Sequence, residues 1–229
     1  MPKQKEQEIE AVKERVLRMG GVVEDAIRKS VKALVERDRQ LAIDVIDGDA
    51  IVNHFDVEIE EECIRFLALW QPTGSNLRFV TTAIKIITDL ERMGDLAVDI
   101  CERSIELLDE PPLKPYIDIP RMADASQKML KDSLDAFVAK DAELAVSVCA
   151  ADDFVDNLNQ QIFNELLVYM LQDPKNISRA VRLSYITKYL ERIADHATNI
   201  AEMVVYMVKG KVIRHTACEA RGDEKKKQA

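Results

Sequence analysis

Glu91, Asp95 and Asp99 follow one another at four-residue steps, and Glu191, Asp195 and Asn199 repeat the pattern one hundred residues later. On a helix, at 100° per residue, each trio spans an arc of about 80° on one side. Carboxylates stacked this way repel one another. A divalent or trivalent cation bridging them reverses the sign, and oxygen donors suit Mg²⁺, Mn²⁺, Ca²⁺ or iron rather than zinc. Asp49, Asn53, Asp56 and Glu60 form a second row upstream of the first trio, and Asp152, Asp156 and Asn159 form one upstream of the second. Two rows facing each other would make an oxygen-rich cluster at the edge of a helix bundle. The plainer reading is a solvated acidic face, with Glu91 paired to a nearby cation. Recurrence of the rows in both halves favours the cation reading.

The rows lie inside a longer repeat. LERMGDLAVDI, at 90–100, returns as LERIADHATNI at 190–200, with Leu, Glu, Arg, Asp, Ala and Ile at identical offsets. Upstream the offset is 103: Met19 matches Met122, Ser30 matches Ser133, Asp38 matches Asp141 and Asp49 matches Asp152. A short length difference near Pro72 and Pro174 accounts for the change of offset. One unit of about 100 residues was duplicated, and the copies fill nearly the whole chain.

Composition decides what those units are. The chain is 47% hydrophobic, 32% charged and 5% aromatic, which favours helix over strand. A net charge of −9 argues against a nucleic-acid surface. No apolar run is long enough for a membrane span, and the polar N-terminus does not read as a signal peptide. Cys63, Cys101, Cys149 and Cys218 stand at wide spacings, which suggests inert thiols in a reducing cytoplasm. The sequence thus reads as a soluble, cytoplasmic chain.

Pro72-Thr73-Gly74-Ser75 and Gln172-Asp173-Pro174 break the two copies at matching places, and Pro111 to Pro115 joins them. The punctuation predicts helices over 8–37, 39–70, 76–109, 119–139, 142–171 and 177–209, with Ser75 as an N-cap. In the third, Ile86, Leu90, Met93, Ala97 and Ile100 make one apolar stripe, with Val80, Ile84, Ile87, Gly94 and Val98 widening it. The sixth repeats the first stripe as Ile186, Leu190, Ile193, Ala197 and Ile200. Three long helices per copy can hide such faces only against one another. The expected fold is all-α: two tandem, pseudo-symmetric three-helix bundles, each about the length of a spectrin repeat, over 8–110 and 118–210, with a polar tail at 211–229.

The paired strings LERMGDLAVDI and LERIADHATNI resemble the Glu/Asp-x-x-x-Asp signature of the PhoU family. The resemblance continues through Arg18-Met19-Gly20-Gly21 and through Glu36 to Pro72, and covers about residues 8 to 209. It implies two symmetric three-helix bundles, metal ions on the acid clusters of some members, frequent homodimers and a regulatory rather than catalytic role. It further implies restraint of the phosphate-starvation response, by linking the ATPase-driven phosphate ABC transporter to a membrane-bound sensor histidine kinase. Contact with the membrane would then come only through protein partners. Carried over by position, the first signature supplies Glu91, Asp95 and Asp99 as metal ligands and the second Glu191, Asp195 and Asn199. Asp49 and Asp152 are the first partners expected from the preceding helices, with Asn53 and Asp156 next. Asn199 is neutral, so the second site is expected to hold fewer or looser ions.

Other features have plainer roles. Arg92 and Arg192 read as salt-bridge or bundle-to-bundle residues, His54 as a surface residue and Trp70 as a core-packing ring. His196 has Leu96 as its counterpart, so it does not carry a duplicated ligand role. A diiron carboxylate oxidase would need Glu-x-x-His pairs, but the residues three before His54, His196 and His215 are Ile51, Ile193 and Val212. With no phosphate loop, nucleophile elbow or Ser/His/Asp set, the sequence predicts no enzyme. A metal-free helical adaptor with no phosphate role is the alternative.

Overall fold

A computed structural model describes residues 2–210. The elements are α1 (Pro2–Glu36), α2 (Arg39–Trp70), α3 (Gly74–Leu107), α4 (Asp118–Ala139), α5 (Ala142–Gln172) and α6 (Ile177–Lys209), with a 3-10 turn at Pro174–Asn176 before α6. Among the described residues there is no strand. Helices α1–α3 form one bundle and α4–α6 the other, as the duplication requires.

The repeat is legible in local geometry. Asp38 caps α2 by accepting from the Leu41 N–H, and Asp141 caps α5 by accepting from Glu143 and Leu144. The residue before each cap is left-handed: Arg37 has φ 57 and Lys140 φ 55. A non-glycine residue there costs roughly 1–2 kcal/mol, which the cap offsets. Buried Ser30 donates to the Ile27 carbonyl and buried Ser133 to the Leu130 carbonyl, again as equivalents. The expected apolar stripes of α3 and α6 are the two cores: all ten first-stripe residues have 0% exposure.

Three local expectations change. Helix α1 begins at Pro2 rather than near residue 8, and its first turns are engaged: Glu8 accepts from the Trp70 indole at 2.8 Å, while that ring packs on the core. Helix α3 begins at Gly74, so Ser75 lies inside its first turn and Thr73 takes the N-cap position without a side-chain bond. The turn after α5 is a distinct 3-10 element, begun by Pro174 with Asp173 capping the Lys175 N–H. The polar tail, Cys218 and His215 lie outside the described residues.

The bundles are packed along a long seam rather than strung on a linker. Helix α3 lies antiparallel to α6: Arg78 donates to the Met207 carbonyl, Asp89 meets His196, and Arg182 pairs with Glu106. These pairings converge near Met93 and Ile193, which are equivalent under the 100-residue offset, as a local two-fold relation demands. Helices α1 and α4 extend the seam, and Gly20 allows their approach. A Cβ there would stand 2.2 Å from Leu134 Cδ1. Phe79 stacks on Phe137 across the seam at 5.3 Å between centroids. At the linker end, Arg37 donates to the Leu108 and Glu110 carbonyls, and buried Lys114 is held by Glu165 of α5. Helices α2 and α5 are left on the outside, each packed on its own bundle.

Candidate metal-binding acid rows

The apolar stripe of α3 turns inward, and this leaves Glu91, Asp95 and Asp99 half-buried: Glu91 and Asp95 act on Asp49 of α2, whereas Asp99 lies toward Arg192 and Tyr189 of α6. Asp49 sits half-buried on α2 and Asn53 is exposed beside it, donating from Nδ2 to Asp49 Oδ2 at 2.7 Å. Gly94 lets the two helices meet there: a Cβ on it would lie 3.2 Å from Asp49 Oδ1 and 3.2 Å from Val52. A cleft of about 190 Å³ between α1, α2 and α3 is lined by Asp49, Gly94 and Lys29, leaving Asp49 reachable from outside.

The rows act on one another electrostatically. Burial raises the Glu91 carboxyl above its ordinary value, and Asp95, Asp56 and Asp49 raise it further while Arg92 opposes them. Burial and then Asp95 raise Asp49, against the Asn53 bond. Asp99 is raised by burial, Glu102 and Asp95. Asp49, Asp56, Glu91 and Asp95 therefore act on one another, while Asp99 acts with Glu102 and Asp95 of its own helix. Arg92 contacts Glu91 at 3.3 Å and Asp95 at 3.2 Å, so its salt-bridge role is realised within its own helix.

The second copy is similar but not identical. Burial, Glu191 and Asp195 raise Asp156, and burial followed by Glu191 raises Asp195. One oxygen of Asp152 is shut off from solvent, and Glu191 is held by Lys188. Asn199 is turned away from this group: its amide donates at 3.4 Å to Asp89 Oδ1 on the first bundle. His196 Nδ1 lies 2.7 Å from the same oxygen. Asp89 was not singled out by sequence reasoning, because its counterpart is Tyr189 and the repeat carries no hint of it. His54 is exposed and meets Glu58 at 3.2 Å.

The donor set is of the right chemistry for a hard cation, oxygens only and mutually repulsive, half-buried at Asp49, Glu91, Asp95, Asp99, Asp152 and Glu191 and exposed at Asn53, Asp156 and Asp195. Among the described residues, no three Asp, Glu, His or Cys side chains converge on one ion as they stand. Holding an ion requires the α2 and α3 carboxylates to turn toward each other.

Two tandem three-helix bundles joined face to face, with acid rows along their rims, define an all-helical class of protein. The PhoU domain model matches residues 16–104 and again 119–204. The chain is 43% identical over 216 residues, 94% of its length and 98% of the relative's, to the phosphate-specific transport system accessory protein PhoU homolog of Aquifex aeolicus. It superposes on the crystal structure of PhoU from Pseudomonas aeruginosa with a TM-score of 0.86 at 40% identity, covering 90% of this chain and 99% of that one. The phosphate transport system regulatory protein PhoU from Streptococcus pneumoniae gives a TM-score of 0.83 at 30% identity, covering 91% and 98%. The chain belongs to the PhoU family.

Proposed function

We propose that this protein regulates phosphate uptake and the phosphate-starvation response, as an adaptor between the ATPase subunit of a phosphate ABC transporter and a sensor histidine kinase. The observation that carries this reading is family membership over nearly the full length, with relatives named for phosphate transport. No described helix is long and apolar enough to cross a membrane. The adaptor reading therefore places the protein in the cytoplasm, as a homodimer that reaches the membrane through its partners.

The acid rows supply the regulated surface. Glu91, Asp95, Asp99 and Asp49, with Asn53, would hold divalent or trivalent ions on the first bundle. Glu191, Asp195, Asp152 and Asp156 would do so on the second, more loosely, because Asn199 is neutral and engaged with Asp89. On the first bundle, a bound cation turns a repulsive acidic patch into a surface that acidic partners can approach.

The test replaces Glu91 and Asp95 together with Ala. Phosphate-starvation genes should be derepressed in rich phosphate while circular dichroism shows an intact helical fold. A folded double variant that represses fully removes the first cluster from the mechanism. Metal analysis of protein purified without a histidine tag tests the ions directly, and metal-free protein that still represses removes the ions from the mechanism.

A further inference from the structure

The second bundle carries a longer exposed apolar strip than the first, where Ile64 and Leu77 are the exposed large hydrophobics at the equivalent positions. Phe163, Leu167 and Leu171 line one edge of α5 at four-residue steps, 41%, 39% and 85% exposed. Ile177, Val181 and Tyr185 do the same on α6, at 46%, 36% and 51%. The helices are packed neighbours joined by the short Pro174–Asn176 turn, so the end of α5 lies beside the start of α6. Asp156 identifies the edge of α5 that faces α6, because its carboxyl feels Glu191 and Asp195. Phe163 and Leu167 fall within about 20° of Asp156 around the helix. Ile177 and Val181 fall within about 40° of Asp195 on α6. Phe163, Leu167, Ile177 and Val181 therefore continue the second acid cluster along the α5–α6 edge.

Packing does not demand this strip. The equivalent residues of the first copy are Glu60, Ile64 and Ala68 on α2, and Leu77, Thr81 and Lys85 on α3. The cores of the two copies match while this outer edge has diverged, and a contiguous exposed apolar edge marks a contact site.

We propose that the strip seats an amphipathic helix of a partner protein, with an apolar face bordered by lysine or arginine. Charge selects that occupant. The strip runs into Asp156, Glu191 and Asp195, where Lys188 is already held by Glu191. Arg182 at its flank is engaged by Glu106 and Glu110. An apolar helix with a basic border satisfies both the apolar strip and its acidic end. The proposal rests on the adaptor reading for the existence of a partner and adds the partner's chemistry.

The experiment uses the full chain in chelator and a fluorescent helical peptide of about 18 residues, with leucine on one face and lysine beside it. Binding by anisotropy should weaken about tenfold or more in Leu167→Ser/Val181→Ser, with an unchanged thermal transition. The first-copy double variant Ile64→Ser/Thr81→Ala should bind as the parent does. Replacing the peptide lysines with glutamate should abolish binding. The proposal is overturned if Leu167→Ser/Val181→Ser binds undiminished, or if a scrambled peptide without an apolar face binds equally. It is also overturned if light scattering shows that the same variant merely dissociates a dimer, which assigns the strip to a second copy. Repression by the Glu91/Asp95 variant is read separately, so failure of the strip and failure of the adaptor reading are distinguishable.

Discussion

His196 Nδ1 and Asp89 Oδ1 lie 2.7 Å apart across the seam between the two bundles, with side-chain exposures of only 18% and 15%. Under the local two-fold their counterparts are Leu96 and Tyr189, so the seam is clamped by this polar contact on one side of its axis and not repeated on the other. Replacing Asp89 with Ala leaves the part-buried His196 without its partner, and should lower stability by about 1–3 kcal/mol. A double-mutant cycle with His196→Ala should show coupling of roughly 1 kcal/mol in urea unfolding. Additive losses would mean that the contact does not join the bundles.

Gly94 and its counterpart Ala194 offer a second comparison. Gly94→Ala places a methyl 3.2 Å from both Asp49 Oδ1 and Val52 Cγ1, so α2 must yield. A loss of about 1 kcal/mol is expected despite the better helix propensity of Ala. Displacing Asp49 should also weaken cation binding at the first cluster, measured by metal titration. Undiminished binding would detach Asp49 from that site.

The acid rows set the pH dependence of the chelated protein. Glu91, Asp49 and Asp99 have raised folded-state values, chiefly through burial and then neighbouring carboxylates. The folded state therefore holds protons more tightly than the unfolded chain, and these groups lose stability as pH rises from about 4 through their raised values. Asp49→Asn should raise the melting temperature at pH 7 in chelator. Added Mn²⁺ should raise that of the parent protein more at pH 7 than at pH 5, since the ion displaces protons. Scanning fluorimetry at both pH values checks this, and an equal Mn²⁺ effect would speak against carboxylate ligation.

Cys63 and Cys101 are fully buried, and burial pushes both thiols up to about 12. Their thiolates are scarce near neutral pH, so both should resist iodoacetamide at pH 8 in the native protein and react on unfolding. Peptide mass spectrometry reads this residue by residue. Native labelling of either would show that its helix opens locally.

Lys114, 7% exposed, is pinned to Glu165 and fixes the proline-rich linker on α5. Glu165→Ala leaves a buried ammonium without its carboxylate and should cost about 1–3 kcal/mol by urea unfolding. Adding Lys114→Met should recover most of that loss, because the methionine fills the site without charge. If it does not, the pair positions the linker in a way that packing alone cannot replace.

The sequence by itself determined the two three-helix units, because helix periodicity, proline breaks and the Asp38 and Asp141 caps act within one or two turns of chain. It also determined that the acid rows share a helix side, since that follows from 100° per residue. The tertiary structure decided what crosses between the copies. The antiparallel seam of α3 on α6, the engagement of Asn199 and His196 with Asp89, and the pinning of Lys114 join residues 51 to 129 positions apart. No local rule specifies such contacts. They depend on how two already-formed bundles bury their remaining apolar faces, and where the repeat's symmetry fails, as at Asp89 and Tyr189, comparison of the copies cannot reveal them.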